Sequence, residues 1–245
     1  MDDPIQLLTG GQVPRVWSVL VTIFGDLATA PGRRLSGAEL RALVAPMGIR
    51  PEALRVALHR LRGDGWLEAE RQGRETSHAL TPRALAESRM AARRIYAAEA
   101  SKSLFLVLAE PGTALHNDVT PVTAQIGLAC RGGTERIPLD HVPNWIRAKI
   151  CPPEQVAAMA DLLQRMRAVD PACTPDPVAL RIVLVHEWRR AILRLPDLPD
   201  RAFAAAWPGA AARGVFHELL TELPRPEGAA PERDPVEVQN GESGK

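Results

Sequence analysis

The order of elements predicted for residues 16–80 limits the possible folds of this chain more than any other feature. The apolar segment from Val16 to Ala28 predicts a buried first helix. Ser36 is followed three residues later by Glu39, which is a capping-box pattern. A short second helix is therefore expected to begin there and to run through Val44.

A tight turn and a third helix follow. Pro46 and Gly48 end the second helix, and Pro51 stands where the first turn of a helix tolerates proline. The segment from Glu52 to Gly63 then carries apolar residues at helical spacing. These residues form one apolar face: Leu54, Ala57, Leu58 and Leu61.

Two short extended runs predict a β-hairpin after the third helix. They are Trp66 to Arg71 and Glu75 to Leu80, joined at Gln72-Gly73-Arg74, where glycine supplies a permissive backbone. Thr81-Pro82 then predicts a helix that runs to about Ala100. This order of elements is typical of a winged helix-turn-helix, in which the third helix can enter the major groove of DNA.

The distribution of charge agrees with a nucleic-acid-binding N-terminal module. Residues 15–95 hold 14 arginines against 8 acidic residues, a net charge of +6, whereas the whole chain carries only +1. The remaining residues must therefore carry −5. A basic module joined to an acidic body favours DNA binding by the module, since DNA is a polyanion.

Candidate base-reading residues lie on the third predicted helix. Arg55, His59 and Arg62 are spaced i, i+4 and i+7, so they form a polar stripe beside the apolar face. An arginine can bond both O6 and N7 of guanine. Arg50, at the entrance to the helix, is a candidate phosphate contact. Each of these residues taken singly could instead be ordinary solvated surface.

The predicted wing offers further cations. Arg71 and Arg74 flank its tip, where they would hold phosphate or enter a minor groove. Arg60 lies nearer the apolar side and precedes Asp64 by four residues, so we expect an internal ion pair there.

The rest of the chain predicts a small mixed domain followed by helices, which makes the expected fold class α+β. Ser103 to Ala109 reads as a strand, and the helices expected after it are Val156 to Arg167, Val178 to Leu195 and Arg213 to Leu223. The glycines and prolines of residues 110–150 leave the topology there open. The predicted division is an N-terminal extension (1–14), a winged helix-turn-helix with its linker helix (15–100), a middle domain (101–172), a helical C-terminal domain (173–223) and a flexible tail (224–245).

Several classes of protein fit poorly. No apolar run approaches the roughly 20 residues of a membrane span, and the acidic start lacks the features of a secretory signal, so we expect a cytoplasmic protein with reduced cysteines. His186-Glu187 opens a zinc-hydrolase pattern, but Arg190 stands where the second histidine is needed, so no metal is expected. No catalytic residue is predicted either. Spacing alone leaves open a nucleophilic Cys130 paired with His116 or His141.

Four segments of the chain resemble the PaaX family of transcription regulators. They cover the first helix, the third helix with its exit, the wing, and the C-terminal region, and the middle of the chain matches the family pattern only loosely. The matching segments are Thr22-Ile23-Phe24-Gly25-Asp26; Leu54 to Leu61 with Asp64-Gly65-Trp66-Leu67; Arg71-Gln72-Gly73-Arg74 with Ser77 and Leu80-Thr81; and Leu180 to Arg190 with Trp207-Pro208-Gly209.

This resemblance implies a homodimeric repressor on double-stranded operator DNA, with a ferredoxin-like middle domain. It also implies control of aromatic-acid (phenylacetate) catabolic genes, with release from the operator by phenylacetyl-CoA or a related acyl-CoA. Cations for the phosphates of such an effector are available on the C-terminal helix. The candidates are Arg181, His186, Arg189 and Arg190. An equally consistent interpretation is that these arginines tie domains together.

One alternative function belongs to a different class. A winged helix can also act as an adaptor that contacts only proteins. Such an adaptor would show no salt-sensitive affinity for DNA, which distinguishes it from a repressor.

Overall fold

The computed structural model describes residues 3–73, 75–133 and 136–225, and within them the chain is an α+β protein. Strands form two small antiparallel sheets, and helices dominate both ends of the chain. The expected α+β class is therefore confirmed. In the described part of the chain, no helix combines the length and apolar character needed to span a bilayer.

The three helices predicted for the basic N-terminal third are present. They are α2 (Val16–Leu27), α3 (Gly37–Val44) and α4 (Pro51–Gly63). The capping box of α3 is formed in both directions, because the Glu39 N–H donates to Ser36 Oγ at 3.1 Å and the Ser36 N–H donates to Glu39 Oε2 at 2.6 Å. Gly48 lies in the turn before α4 with φ 73°, which glycine adopts without strain.

The predicted hairpin is also present, and it gains a third strand. Strands β2 (Leu67–Gln72) and β3 (Glu75–Leu80) pair antiparallel, and β1 (Leu35–Ser36) pairs with the other edge of β3. The order in the sheet is β1-β3-β2. Sequence reasoning missed β1 because a run of two residues has no periodicity of its own.

Helix α5 (Pro82–Ile95) begins as predicted but is shorter than expected. Thr81 Oγ1 accepts from the Ala84 N–H at 3.3 Å and caps the helix. The helix ends at Ile95 rather than near Ala100. The Ile95 carbonyl accepts from Trp188 Nε1 at 2.8 Å, so a tertiary contact satisfies the helix end in place of another turn.

A second sheet occupies the middle of the chain. Its strands are β4 (Phe105–Leu108), β5 (Thr120–Pro121), β6 (Ile126–Ala129) and β7 (Arg136–Pro138), in the order β5-β6-β4-β7 with antiparallel neighbours. A ferredoxin-like domain would place a helix after its first strand, whereas residues 109–119 contain turns and no helix. Pro111 and Gly112, the latter with φ 86°, break the helical pattern in this segment.

The predicted boundary of the middle domain at residue 172 differs from the packing. After α6 (Asn144–Ile150), helix α7 (Pro153–Arg167) packs against α1 (Pro4–Thr9), α8 (Pro177–Ile192) and α9 (Gly209–Glu222). The residues predicted for the inner side of α7 are buried: Met159, Leu162, Leu163 and Met166. Their apolar stripe faces other helices, so α7 belongs with the helical unit rather than with the sheet.

The predicted N-terminal extension, residues 1–14, is part of the same helical packing. Ile5 and Leu8 of α1 are buried, and α1 contacts both α7 and α8. Of the predicted tail, 224–245, residues 226–245 lie outside the described part of the chain. Arg225, which precedes them, lies 3.3 Å from the carboxylate of Asp26 through its Nη2.

Candidate nucleic-acid interface

Helix α4 is held in place by its apolar face. Leu54, Leu58 and Leu61 are buried, and α4 packs on α2. Arg50 occupies the N-cap position and Pro51 the first helical position, where the missing N–H of proline costs no hydrogen bond. The opposite face of α4 is consequently turned to solvent.

The predicted polar stripe lies on that exposed face. Arg55, His59 and Arg62 are all exposed, as is Arg50 at the start of the helix. None of these arginines is within ion-pairing distance of an acidic side chain of residues 3–73, 75–133 and 136–225. Their charges are thus available to an external anion.

Three acidic residues of the N-terminal module are paired with arginines outside α4. Arg34 lies 3.2 Å from Glu68 and 3.5 Å from Glu70 of the hairpin, and Arg33 lies 3.1 Å from Glu39. Exposed pairs like these add little stability. They do compensate part of the negative charge of the N-terminal module.

The ion pair predicted for Arg60 is formed, but it lies at the surface. The side chains of Arg60 and Asp64 are 70% and 52% exposed, so the expectation of an internal pair near the apolar side is wrong. Arg60 Nε lies 3.7 Å from Asp64 Oδ2, and the guanidinium lies 5.9 Å from the ring centre of Trp17 on α2. Arg60 thus has two weak contacts within the chain, unlike the candidate DNA contacts Arg55 and Arg62.

The tip of the wing is only partly described. Arg71 is exposed, and its Nε donates to the Gly73 carbonyl at 3.1 Å, which directs the side chain along the tip. Arg74 lies outside the described residues, so its predicted contact role stays a prediction.

Sequence reasoning overlooked one residue of the exposed face of α4. Val56 is 67% exposed, next to the polar stripe. An exposed valine there could pack against a thymine methyl group. The sequence did indicate that Val56 is exposed, because position 56 does not fall on the helix face that carries the buried leucines.

The four candidate effector residues are mainly engaged within the chain. Arg181 and His186 are 2% and 1% exposed, so neither presents surface to a ligand in this conformation. Arg181 Nη1 donates to the carbonyls of Leu220 and Leu223, both at 3.1 Å. The interpretation that these residues tie elements together therefore describes their contacts better than an effector site does.

The other two candidates extend the same pattern. Arg189 Nε donates to Thr22 Oγ1 at 3.0 Å, and its Nη2 lies 3.2 Å from both Ser18 oxygens. Arg190 lies 3.3 Å from Glu187, and its side chain is 38% exposed. Helix α8 is thus bound through polar contacts to α2, a helix of the predicted DNA-binding module.

Burial of His186 makes the stability of the protein sensitive to acid. Burial, reinforced by the charges of Arg189 and Arg190, lowers the pKa of His186 from 6.5 to about 3. The folded state therefore keeps this imidazole neutral while the unfolded state binds a proton below pH 6.5. The contribution of neutral His186 to the free energy of unfolding is complete above about pH 6.5. It decreases as the pH falls from about 6.5 toward about 3, by up to about 1.4 kcal/mol per pH unit.

We expect His186→Asn to flatten this dependence. Urea unfolding at about pH 5 and about pH 7 should show a smaller difference in the free energy of unfolding for the variant than for the unaltered chain. His59→Asn, on the exposed face of α4, serves as the control and should leave the difference unchanged. An equal difference in all three proteins would contradict the assignment to His186.

His186, Glu187 and Cys130 are the residues for which the sequence suggested metal or nucleophilic chemistry. His186 Nε2 lies 3.9 Å from Glu187 Oε1, and no cluster of three or more metal-ligating side chains occurs in the described ranges. Burial, with a contribution from Asp197, raises the pKa of the Cys130 thiol. A raised pKa disfavours the thiolate that a nucleophilic cysteine requires.

Taken together, the geometry defines an α+β protein whose N-terminal helix-and-hairpin module presents exposed arginines on α4 and is attached to a helical body. Residues 15–84 match the family described as PaaX-like protein, and residues 154–229 match the PaaX-like protein C-terminal domain. These two segments cover more than half of the chain, which therefore belongs to the PaaX-like protein family.

Two individual proteins are similar to this chain. The transcriptional repressor PaaX of Escherichia coli (strain K12) is 24% identical over 241 residues, covering 80% of this chain and 76% of the repressor. The uncharacterized protein Rv0674 from Mycobacterium tuberculosis has a solved structure that is 21% identical, with a TM-score of 0.45, covering 86% of this chain and 96% of that one.

Proposed function

We propose that this protein is a DNA-binding transcriptional repressor whose N-terminal module acts as a winged helix-turn-helix. The observation that carries the proposal is the exposed face of α4, on which Arg55 and Arg62 have no ion-pair partner among the described residues. A basic helix beside a hairpin suits insertion into a major groove, with Arg50 and Arg71 on phosphate. Similarity to a transcriptional repressor supports the same function.

The repressor is proposed to act as a homodimer. Two-fold symmetry would present two copies of α4 to successive major grooves, which requires half-sites about one helical turn of DNA apart. The operator would then be a pseudo-palindrome. This part of the proposal rests on family membership and on the general symmetry of such complexes.

The regulated genes are proposed to serve phenylacetate catabolism in the cytoplasm, with phenylacetyl-CoA or a related acyl-CoA as the effector and without catalysis by the protein. Helix α8 offers a route for coupling, because it contacts both α2 and α5. An effector bound to the helical body could thereby favour a dimer geometry that mismatches the half-site spacing.

Fluorescence anisotropy tests the proposal directly. The protein is titrated onto the DNA upstream of its own gene and onto scrambled DNA, with and without phenylacetyl-CoA. We expect preferential binding to the upstream DNA and its loss with the thioester. Preference that is indifferent to the thioester would refute the effector, and absence of any preference or salt dependence would favour the adaptor function.

Removal of Arg55 should weaken specific binding in particular. If Arg55 contacts a guanine edge, Arg55→Ala should cost about 1 to 3 kcal/mol of operator binding and relax specificity at one position. Arg167→Ala, which removes an exposed arginine of α7 far along the chain, is the matched control and should have no such effect. Equal weakening of Arg55→Ala on operator and scrambled DNA would show a phosphate contact instead.

A further inference from the structure

A cleft opens where the segment after α5, the turn that precedes α9 and the first turn of α9 meet. Its walls are residues 98–102 and 199–201 together with Ala210 and Arg213, and its volume is about 320 Å³. Small-molecule sites usually measure roughly 300 to 1,000 Å³. This cleft can therefore hold a small molecule or one end of a larger one.

Arg213 is a buried cation in the wall of this cleft. It is 6% exposed; Nη1 donates to the Ala97 carbonyl at 3.2 Å, while Nε has no hydrogen-bond partner in the described part of the chain. The guanidinium lies 5.4 Å from the ring centre of Trp188. Burial lowers the pKa of Arg213, opposed by the charge of Asp200. A buried cation without a direct ion-pair partner is stabilised by any anion that comes close to it.

Among the described residues no carboxylate lies within ion-pairing distance of Arg213, and the charges of Asp200 and Asp197 act on it from farther away. Glu99 is bound to Lys102 at 2.8 Å, and Asp200 Oδ1 accepts from Trp207 Nε1 at 2.9 Å. Arg201 donates to the Lys102 carbonyl. Three cations and two carboxylates thus line the cleft, which gives its lining a net charge of +1. Glu99 is paired with a cation, whereas Asp200 keeps its negative charge because the indole of Trp207 is neutral. The balance favours an anionic ligand.

We propose that this cleft is a binding site for the phosphate or carboxylate group of a small organic anion, with Arg213 as its charged contact. Arginine binds both groups through two parallel N–H donors, and Arg213 is the buried arginine in the wall of the cleft. We further propose that the occupant is the effector of the repressor, and this second half rests on the proposed function.

The position of the cleft explains how occupancy could affect DNA binding. Residues 98–102 follow directly after α5, the last helix of the proposed DNA-binding module. Arg213 and His217 of α9 both lie at hydrogen-bonding distance from the Ala97 carbonyl, at 3.2 and 3.1 Å. A ligand that draws Arg213 toward itself competes with this contact and alters the exit of α5.

Two neighbouring alanines supply a matched pair of variants. Ala210 and Ala211 are both exposed in the first turn of α9, but only Ala210 lines the cleft. Glutamate stabilises the first turn of a helix, so Ala210→Glu and Ala211→Glu should both fold. Only Ala210→Glu places a carboxylate at the cleft, where it repels an anion and pairs with Arg213.

Isothermal titration calorimetry measures the affinity of the protein for four probes: pyrophosphate, coenzyme A, phenylacetyl-CoA and phenylacetate. We expect Ala210→Glu to lower the affinity of the bound probes at least tenfold and Ala211→Glu to change it less than twofold. Binding of pyrophosphate and coenzyme A identifies phosphate as the recognised group, whereas binding of phenylacetate alone identifies carboxylate. Equal affinities in the two variants, or no binding of any probe, would overturn the site.

Operator binding measured on the same proteins separates the two proposals. If a probe binds in the cleft and releases the operator, both stand. If it binds in the cleft without affecting the operator, the regulatory half fails and the anion site remains. If the unaltered chain has no operator preference while Ala210→Glu still abolishes probe binding, the repressor proposal alone is refuted.

Discussion

Asp26→Ala is expected to lower the free energy of unfolding by about 3 to 5 kcal/mol, because it leaves a buried arginine without its carboxylate. Asp26 is 4% exposed; its Oδ2 lies 3.6 Å from Arg181 Nε and its Oδ1 accepts from Tyr96 Oη at 2.6 Å. Urea unfolding followed by circular dichroism measures the loss. The carboxylate belongs to α2 and the guanidinium to α8, so the effect reports on the contact between module and body.

Two further variants test the cause of that loss. Asp161→Ala breaks an exposed pair with Arg165 and should cost less than about 1 kcal/mol. Combining Asp26→Ala with Arg181→Met removes both members of the Asp26–Arg181 pair and leaves only Arg225 deprived of Asp26, so we expect the double variant to be more stable than Asp26→Ala alone. If the loss of stability in the double variant equalled the sum of the losses caused by Asp26→Ala and Arg181→Met separately, the buried pair would not be the source of the effect.

Trp188→Ala should cost a similar amount, about 3 to 5 kcal/mol, through the loss of buried apolar contacts and the cavity that remains. Trp188 is 0% exposed, and its ring stacks on Phe216 with ring centres 5.0 Å apart. Its Nε1 also donates to the Ile95 carbonyl at the end of α5. The side chain therefore joins α8, α9 and the exit of the N-terminal module.

The matched control for this substitution is Trp145→Ala. Trp145 is 57% exposed on α6, so its loss should change stability by less than about 0.5 kcal/mol. Trp188→Phe keeps an aromatic ring but leaves the Ile95 carbonyl without its donor, and we expect an intermediate loss. Equal stabilities of Trp188→Ala and Trp145→Ala would contradict the central position of Trp188 in the core.

The polar residues of α8 were the hardest to interpret from the sequence. Arg181 and His186 look like exposed cations of an amphipathic helix, yet α8 is buried around most of its circumference from Ala179 to His186. The nearly unbroken apolar run from Leu180 to Val185 was the available signal, since a helix that is apolar all round lies inside the protein. The partner of each buried polar side chain depends on how distant segments pack together, and the periodicity of one segment does not encode that.

The sequence by itself determined the elements that local interactions stabilise. The capping box at Ser36, the first-turn proline of α4 and the alternating hairpin each act between residues close in the chain, so α3, α4, β2 and β3 were predicted near their observed bounds. The exposed face of α4 followed from the same local geometry.

Only the tertiary structure decided the rest. Helix α1 has six residues, too few to persist alone, and β1 has two; both exist because other elements cover or pair with them. The assignment of α7 to the helical body, the burial of Arg181 and the cleft beside Arg213 likewise arise from contacts between segments far apart in the chain. Such contacts depend on how complementary surfaces pack, which a pattern of residue types along one segment does not specify.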